Sequence, residues 1–339
     1  MWDDILQFID PVLNAGFIIG TIKPVIIVVA LLTIVPLLVW LERRLMGRFQ
    51  VRLGPNRVGP FGLGQPISDS IKLLFKESII QSSADKFLFH LAPAIVVFTA
   101  IVTFSVIPFG APFEVLGEKI ALWGANVNSG LLFVFAISGM GVYGMVLAGL
   151  SSNNKYSLMG GLRSSAQMIS YELTLGLSAL SVIVMAGSLN LSDLVESQKT
   201  IPYILIQPVA FLLFFIAGVA ETNRAPFDLP EAEQELVAGF HTEYTGMKFA
   251  MFFMGEYINM VTMSSLVTLL FLGGWNSYGL PIWPILAFAG KVFFLLCVFI
   301  WLRSTFPRIR YDRLMTFGWK FLLPICLFNL LITAVFKVL

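Results

Sequence analysis

Eight long apolar runs divide the chain and restrict its fold more than any other feature of the sequence. A hydrocarbon core of about 30 Å needs about 20 apolar residues in a helix, and backbone groups in lipid must be hydrogen-bonded within the segment. Only 12% of the residues are charged, about half the share found in soluble domains. We therefore expect an all-α integral membrane protein with eight transmembrane helices, a single polytopic membrane domain over residues 1–339. The runs are approximately 17–41, 87–108, 130–150, 166–187, 201–220, 247–272, 282–302 and 320–338.

The distribution of basic residues predicts the orientation of these helices. Four alternate loops hold 17 of the 22 Lys and Arg residues: 42–86, 151–165, 221–248 and 303–320. Loops rich in Lys and Arg face the cytoplasm, so both termini are expected outside. The acidic start of the chain, Met1–Asp10, lacks the pattern of a cleaved signal. The opposite loops, 109–129, 188–200 and 273–281, are predicted to be plain connectors.

The first cytoplasmic loop predicts a short amphipathic helix. After Pro66, apolar residues recur with helical spacing, and Asp69 lies with Ser68, Lys72 and Lys76 on the opposite face. The apolar positions are Ile67, Ile71, Leu74 and Phe75. Such a helix lies at a membrane surface. It is either an anchor on lipid headgroups or, with the turns rich in Gly and Pro that precede it, the frame of an opening for an amphipathic ligand.

Acidic residues are concentrated between Glu221 and Glu256, where only Arg224, His241 and Lys248 are basic. The seven carboxylates are Glu221, Asp228, Glu231, Glu233, Glu235, Glu243 and Glu256. Ionised groups within a bilayer are costly and mark functional sites, and burial favours the protonated form of a carboxylic acid. With Glu172 in the fourth run, Glu221 and Glu256 at or within spans are candidates for a proton path. Residues 228–235 taken alone also fit an exposed acidic loop.

The remaining reactive residue types exclude several site classes. Two cysteines, Cys297 and Cys326, are too few for an iron–sulfur cluster or a thiolate zinc site. With only two histidines, His90 and His241, a bis-histidine haem is not expected either. We expect no redox centre and no metal site on this chain. Lys291, inside the seventh run, is predicted to snorkel or to pair within the bundle. The basic segment 303–320 suits lipid headgroups or a docking protein better than nucleic acid.

Methionine and phenylalanine residues crowd the start of the sixth run, at Met247, Met251, Phe252, Phe253 and Met254. Such residues usually pack against lipid or in a core. They are also suited to a flexible apolar lining for a hydrophobic ligand, and Glu256 lies within one helical turn of them.

Four segments resemble one known family. They include ERRLMGRFQVRLGPNRVGPFGLGQPISDSIKLLFKE at 42–77, with further matches at 153–172, 220–257 and 303–324. The segments are similar to the H-subunit family of bacterial proton-pumping NADH–quinone oxidoreductase (respiratory complex I), whose mitochondrial counterpart is NADH dehydrogenase subunit 1. The resemblance implies a translocase component in the bacterial inner membrane, rather than the mitochondrial one, at the junction of the membrane and hydrophilic arms.

The resemblance also implies roles for particular residues. The path that couples quinone reduction to proton transport would comprise Glu172, Glu221, Asp228, Glu231, Glu233, Glu235, Glu243 and Glu256. The membrane part and entrance of the quinone channel would include Arg43, Asp69, Phe253 and Arg303. Ubiquinone or menaquinone would be the substrate, with flavin and iron–sulfur clusters on partner subunits. The partners would be the hydrophilic quinone-module subunits, small membrane subunits, quinone and lipid.

Two alternatives stay open at this stage. A stand-alone cation/proton antiporter also needs carboxylates in the membrane, but it does not need the long, turn-rich cytoplasmic loop. The related membrane subunit of a membrane-bound hydrogenase has similar acids and no quinone. The proteins that purify with the chain distinguish these possibilities.

Overall fold

The computed structural model describes residues 15–115, 118–229, 236–279 and 281–338. Across these ranges the chain is almost entirely helical. The helices are α1 (Ala15–Phe49), α2 (Gln65–Phe75), α3 (Lys86–Ser105), α4 (Gly130–Ser151), α5 (Lys155–Ala186), α6 (Leu191–Glu196), α7 (Tyr203–Ile206), α8 (Pro208–Glu221), α9 (Met247–Phe271), α10 (Pro284–Thr305), α11 (Tyr311–Phe317) and α12 (Leu323–Val338). Single turns of 3₁₀-helix occur at Pro60–Gly62 and Gly239–His241, and a π-helical turn at Gly318–Leu322 joins α11 to α12.

Six helical segments within these ranges are long and apolar enough to cross a membrane. They are Ile22–Phe49, Lys86–Ser105, Gly130–Ser151, Lys155–Ala186, Pro284–Thr305 and Tyr311–Val338. This confirms an all-α membrane protein. Two of the eight predicted runs are not among the six: the fifth forms the short helix α8, and the sixth forms α9.

The fifth run does not form the continuous helix predicted for 201–220. Helix α7 stops at Ile206, and Gln207 takes a non-helical conformation (φ −129°, ψ 62°) before α8 begins at Pro208. Proline has no N–H to donate to the preceding turn, so a new helix starts there. The 14 residues of α8 extend only about 21 Å.

Helix α9 lies at the centre of the bundle, which explains its moderate hydropathy. Every residue from Met260 to Phe271 is buried. Three of its hydroxyl groups are satisfied within the helix: Ser264, Ser265 and Thr268 each donate at 2.8 Å to the carbonyl oxygen four residues earlier. The buried Thr262 hydroxyl has no partner among the described residues. A helix covered on all sides by protein needs no continuous apolar surface.

Several boundaries differ from the predicted ones. Helix α5 begins at Lys155 rather than near residue 166, because the Asn154 side chain caps it by accepting from the Tyr156 N–H at 3.0 Å. The connectors also contain local structure. Phe113–Val115 (β1) pairs antiparallel with Glu118–Ile120 (β2), and α6 lies in the loop 188–200. The prediction of plain connectors missed this short hairpin because three-residue strands leave no usable periodicity.

The amphipathic helix predicted after Pro66 is confirmed as α2. Its predicted apolar positions Ile67, Ile71 and Phe75 are exposed, so this face is turned away from the rest of the chain. Pro66 and Leu73 face the interior together with Asp69, although the pattern placed Asp69 on the polar face.

The segment 236–246 packs tightly against the first half of α5. The Ser157 hydroxyl donates to the Phe240 carbonyl at 2.9 Å. At Gly160, an added Cβ would lie 2.7 Å from the Phe240 nitrogen and 2.8 Å from the Gly239 Cα. This backbone-to-backbone approach leaves no room for a side chain and fixes the end of the acidic segment on α5.

Replacing Gly160 with alanine is therefore expected to destabilise the protein by about 1–3 kcal/mol through overpacking. Gly176→Ala on the same helix is the matched control, since nothing lies within 4 Å of a Cβ there. The control should be neutral or stabilising by up to about 1 kcal/mol, because alanine is the better helix former. Thermal unfolding of the two variants in detergent measures the difference, and equal melting temperatures would contradict the packing described.

Candidate functional site

A large cavity of about 640 Å³ lies between α1, α2, α9 and the end of α10. From Leu32 to Arg43 it follows α1 for about 16 Å. Most of its wall is apolar, and its polar groups gather towards the C-terminal end of α1. The lining consists of Leu32, Val35, Pro36, Val39, Glu42, Arg43, Met46, Pro66, Asp69, Ser70, Leu73, Leu74, Met247, Phe249, Ala250, Phe253, Met254, Tyr257 and Arg303.

The buried carboxylate of Glu42 is the centre of an ion-pair cluster at this polar end. The Tyr257 hydroxyl donates to its Oε2 at 2.7 Å, and Arg224 Nη1 donates to its Oε1 at 3.0 Å. Arg303 Nη1 donates to the same Oε1. Both carboxylate oxygens are therefore occupied by donors from three distant parts of the chain, which together offset the cost of burying the charge.

Arg224 connects Glu42 to Glu256. Its Nε lies 2.6 Å from Glu256 Oε1, and its guanidinium lies 4.4 Å from the centre of the Tyr257 ring. Burial disfavours the charged guanidinium, but the carboxylates of Glu256 and Glu42 outweigh this effect and raise the pKa of Arg224. Arg224 is thus a permanent buried cation held between two acids, with a cation–π contact to a third group.

A second ion pair closes the cavity between α1 and α2. Arg43 Nη1 donates to Asp69 Oδ2 at 2.6 Å, and Gln65 Nε2 donates to Asp69 Oδ1 at 2.9 Å. Both charged side chains are partly exposed. An exposed pair of this kind contributes little stability, so its main effect is to place a cation and an anion at the cavity wall.

A smaller pocket of about 30 Å³ lies on the other side of Phe253, which lines both spaces. Its polar lining includes Glu221, Asn223, His241 and Glu256. This volume holds one or two water molecules. Glu221 is buried at the end of α8, and its Oε2 has no hydrogen-bond partner among the described residues.

His241 lines this pocket and interacts electrostatically with Asp228. Asp228 Oδ2 accepts from Arg308 at 2.7 Å. Burial lowers the pKa of His241 to about 4, although Asp228 opposes the shift. The imidazole is therefore neutral at physiological pH and can both donate and accept a hydrogen bond.

The full length of the chain is similar to proteins of one family. Residues 22–334 match the family model described as NADH dehydrogenase. The chain belongs to this family. An NADH-quinone oxidoreductase H subunit of Syntrophobacter fumaroxidans is 50% identical over 321 residues, which cover 95% of this chain and 96% of the relative. An H subunit of the same enzyme from Geobacter sulfurreducens is 54% identical over 312 residues, 92% of this chain and 94% of the relative. The H subunit of Protochlamydia amoebophila is 54% identical over 297 residues, 88% and 91% of the two chains.

For this member of the NADH dehydrogenase family, the structure brings together the four residues implied for the channel. Arg43, Asp69, Phe253 and Arg303 all line the large cavity. Their convergence was implied by the resemblance and not by any spacing in the sequence, since they come from four different helices.

The carboxylates implied for the coupling path are arranged less compactly. Glu221 and Glu256 share the smaller pocket, and Asp228 interacts electrostatically with both Glu256 and His241. Glu172 on α5 interacts electrostatically with Glu221. Glu243 lies apart from them and accepts from Asn154 Nδ2 at 2.7 Å. Glu231, Glu233 and Glu235 lie outside the described residues.

Sequence reasoning missed the two residues that organise the cluster, Glu42 and Tyr257. Glu42 is the first residue of a Glu-Arg-Arg sequence at the end of an apolar run. The available signal was that Glu42 continues the helical apolar run directly and is itself charged. The adjacent arginines made Glu42 look like part of a solvated loop. Tyr257 follows Glu256 directly and carried no signal of its own.

Replacing Glu42 with alanine should leave the buried Arg224 and the half-buried Arg303 without their shared counter-ion. Breaking a buried ion pair on one side costs about 3–5 kcal/mol, so we expect a large loss of thermal stability. Tyr257→Phe removes one hydrogen bond to a charged group and should cost roughly 1.5–3 kcal/mol. Asp312→Ala is the control, since the Arg310–Asp312 pair is exposed and worth at most about 1 kcal/mol. Equal melting temperatures for the Glu42 and Asp312 variants would refute the central role of Glu42.

Proposed function

We propose that this chain is the H subunit of an NADH–quinone oxidoreductase, the membrane component in which quinone binding meets proton translocation. The observation that carries the proposal is the direct contact between a long apolar cavity and a buried cluster of ion pairs, in a chain similar over its full length to H subunits of this enzyme. Two cysteines cannot supply the four thiolates of an iron–sulfur cluster. This count agrees with what the family resemblance implies, namely that flavin and iron–sulfur clusters on partner subunits deliver the electrons to quinone.

The large cavity suits the chemistry of a quinone. An isoprenoid tail needs an apolar passage, which the helix α1 wall from Leu32 to Val39 and the Met and Phe side chains of α9 provide. A quinone headgroup has two carbonyl oxygens that accept hydrogen bonds, and Arg43 and Arg303 are donors at the polar end. Ubiquinone and menaquinone share these features, and the cavity accepts either one by this argument.

Charge in the cavity affects the acidic path through shared ion pairs. Arg303 and Tyr257 both donate to Glu42 and also face the cavity. A reduced, negatively charged quinone near Arg303 competes with Glu42 for this cation. Glu42 then attracts Arg224 more strongly, which weakens the hold of Arg224 on Glu256. The proton affinity of Glu256 rises as a result, and the proton path through Glu221, Asp228 and Glu172 begins there.

We further propose that α8 and α9 also cross the bilayer, giving eight spans with both termini outside the bacterial inner membrane. The support is the position of both helices within the bundle, where α8 packs on α5 and α9 packs on α3. This arrangement puts the loops that hold most Lys and Arg residues, and the segment 221–246, on the cytoplasmic side. The hydrophilic partner subunits would then dock on that side.

Narrowing the cavity should impair quinone binding. Ala250→Phe places a ring inside the cavity, and we expect the apparent KM for quinone to rise several-fold while the complex still assembles. Ala289→Phe makes the same change at an exposed position of α10 and should leave KM unchanged. Steady-state NADH:quinone reductase assays on membranes test both. An unaltered KM in assembled Ala250→Phe complex would argue against the cavity as the quinone channel.

Neutralising Glu172 tests the proton path with little structural disturbance. Glu172 is half-buried, and within the described part of the chain it makes no ion pair that the change would break. Glu172→Gln should lower the number of protons translocated per NADH oxidised, with normal amounts of assembled complex. Glu196→Gln is the control, because the Glu196 carboxylate is exposed and pairs with the exposed Lys199 at 3.8 Å. Normal proton translocation in the Glu172 variant would remove Glu172 from the path.

Co-purification separates this function from the two alternatives. A stand-alone antiporter purifies and transports ions without partners, and a hydrogenase component purifies with hydrogenase proteins. If the proposed function is correct, the complex purified through an affinity tag on this chain has NADH-dependent quinone reductase activity.

A further inference from the structure

Lys291 on α10 binds the chain that follows the end of α9. Its Nζ donates to three backbone carbonyls, those of Leu272 at 2.7 Å, Gly274 at 2.9 Å and Asn276 at 2.8 Å. An ammonium group has three N–H donors, so all of them are used. The sequence suggested snorkelling or pairing within the bundle, and the partners prove to be carbonyl oxygens rather than a carboxylate.

The carbonyl oxygens form a cage because of how α9 ends. The last carbonyls of a helix lack partners within the helix and lie at the negative end of its dipole. Gly273 and Gly274 adopt positive φ values of 70° and 54°, which turn the following peptide groups back towards Lys291. The Tyr278 ring adds a cation–π contact at 5.2 Å. Rings of backbone carbonyls of this kind also coordinate small monovalent cations.

The cage is held from its other side by groups that do not involve Lys291. The buried Gln198 side chain donates to the Leu269 carbonyl at 2.8 Å and accepts from the Gly273 N–H at 3.1 Å. Tyr278 Oη donates to the Gln198 carbonyl at 3.0 Å, and Asn276 Nδ2 donates to the Val195 carbonyl at 3.0 Å. These bonds preserve the carbonyl arrangement when the ammonium is removed.

Helices α9 and α10 are thus linked near one end by Lys291, and near the other end through Glu42 of α1, which accepts from both Arg303 and Tyr257. Along α9, Leu272 lies about 24 Å from Glu256. Along α10, Lys291 lies about 18 Å from Arg303, which binds Glu42. Since a helix is stiff along its axis, the cage at one end helps to set the axial position of Glu256 and Tyr257 at the other.

We propose that the Lys291 ammonium fills a carbonyl-lined cation site that fixes α9 against α10, and that a small monovalent cation, ammonium above all, occupies this site when the side chain is shortened. Lys291 is then a positioning residue for the Glu256 end of α9. The link to turnover rests on the proposed function, whereas the cation site does not.

The test uses Lys291→Ala in the assembled complex in native membranes. Thermal inactivation is followed in choline chloride and in ammonium chloride at equal ionic strength, with a blot for the retained chain as a readout independent of quinone. In choline we expect a half-life roughly tenfold shorter than that of wild type, from the loss of charge-assisted hydrogen bonds. Ammonium should restore most of the lost half-life, and this effect should saturate as the ammonium concentration increases. Lys291→Arg should not gain from ammonium, because its larger guanidinium fills the space.

Lys337→Ala is the matched control. Lys337 Nζ donates to the single carbonyl of Met185 at 2.8 Å, and its side chain is exposed. This variant should behave like wild type in both salts. Ammonium could restore the stability of the chain without restoring quinone reductase activity. That result would support the cation site and count against the proposed function.

Two results overturn the proposal itself. One is wild-type stability of Lys291→Ala in choline, which would show that the cage anchors nothing. The other is an equal loss of stability of Lys291→Ala in choline chloride and in ammonium chloride. If Lys291→Ala does not assemble, Lys291→Gln replaces it, and backbone amide exchange over residues 272–279 is measured. Faster exchange than in Lys337→Ala, slowed by ammonium, supports the proposal, and unchanged exchange refutes it.

Discussion

The rest of the site depends on one buried carboxylate. Glu42 accepts from Arg224, Tyr257 and Arg303, which belong to the loop after α8, to α9 and to α10. A buried carboxylate is tolerated only when its oxygens are satisfied. The three donors and the helices that carry them are therefore fixed relative to α1. The polar end of the large cavity takes its shape from this arrangement, because Glu42, Tyr257 and Arg303 also line it.

Glu42, Tyr257 and Arg303 belong both to the cavity wall and to the ion-pair cluster. No further residues are therefore needed to connect the cavity to the acidic residues. Two unit charges about 4 Å apart interact by about 4 kcal/mol at an effective dielectric constant of 20. Each link from the cavity to Glu256 is shorter than that: Arg224 lies 3.0 Å from Glu42 and 2.6 Å from Glu256. A change of charge beside Arg303 thus alters the electrostatic environment of Glu256 through direct contacts, and Phe253 lines both the apolar cavity and the pocket where Glu221 and Glu256 meet.

Sequence reasoning predicted the structural features that depend on local patterns and missed those that depend on contacts between distant residues. Apolar periodicity located the membrane helices and α2, and a residue-by-residue resemblance was needed to bring Arg43, Asp69, Phe253 and Arg303 to one place. The partners of Glu42 are 182, 215 and 261 residues away, so no window of sequence contains them. Lys291 binds backbone carbonyls, which every residue has and which therefore leave no trace in the sequence. The helix break at Gln207 could have been predicted from the sequence, because Pro208 follows it directly.

The short helix α8 has a consequence for the membrane itself. Its 14 residues fall about 9 Å short of a typical hydrocarbon core. In an eight-span arrangement this hydrophobic mismatch is absorbed by protein rather than by a thinner bilayer, because the irregular chain from Glu221 to Leu229 is largely buried by its neighbours. Non-helical backbone is tolerated at membrane depth only under such cover. In that arrangement the short helix places Glu221, Arg224 and Asp228 at the edge of the low-dielectric region, where protein covers them.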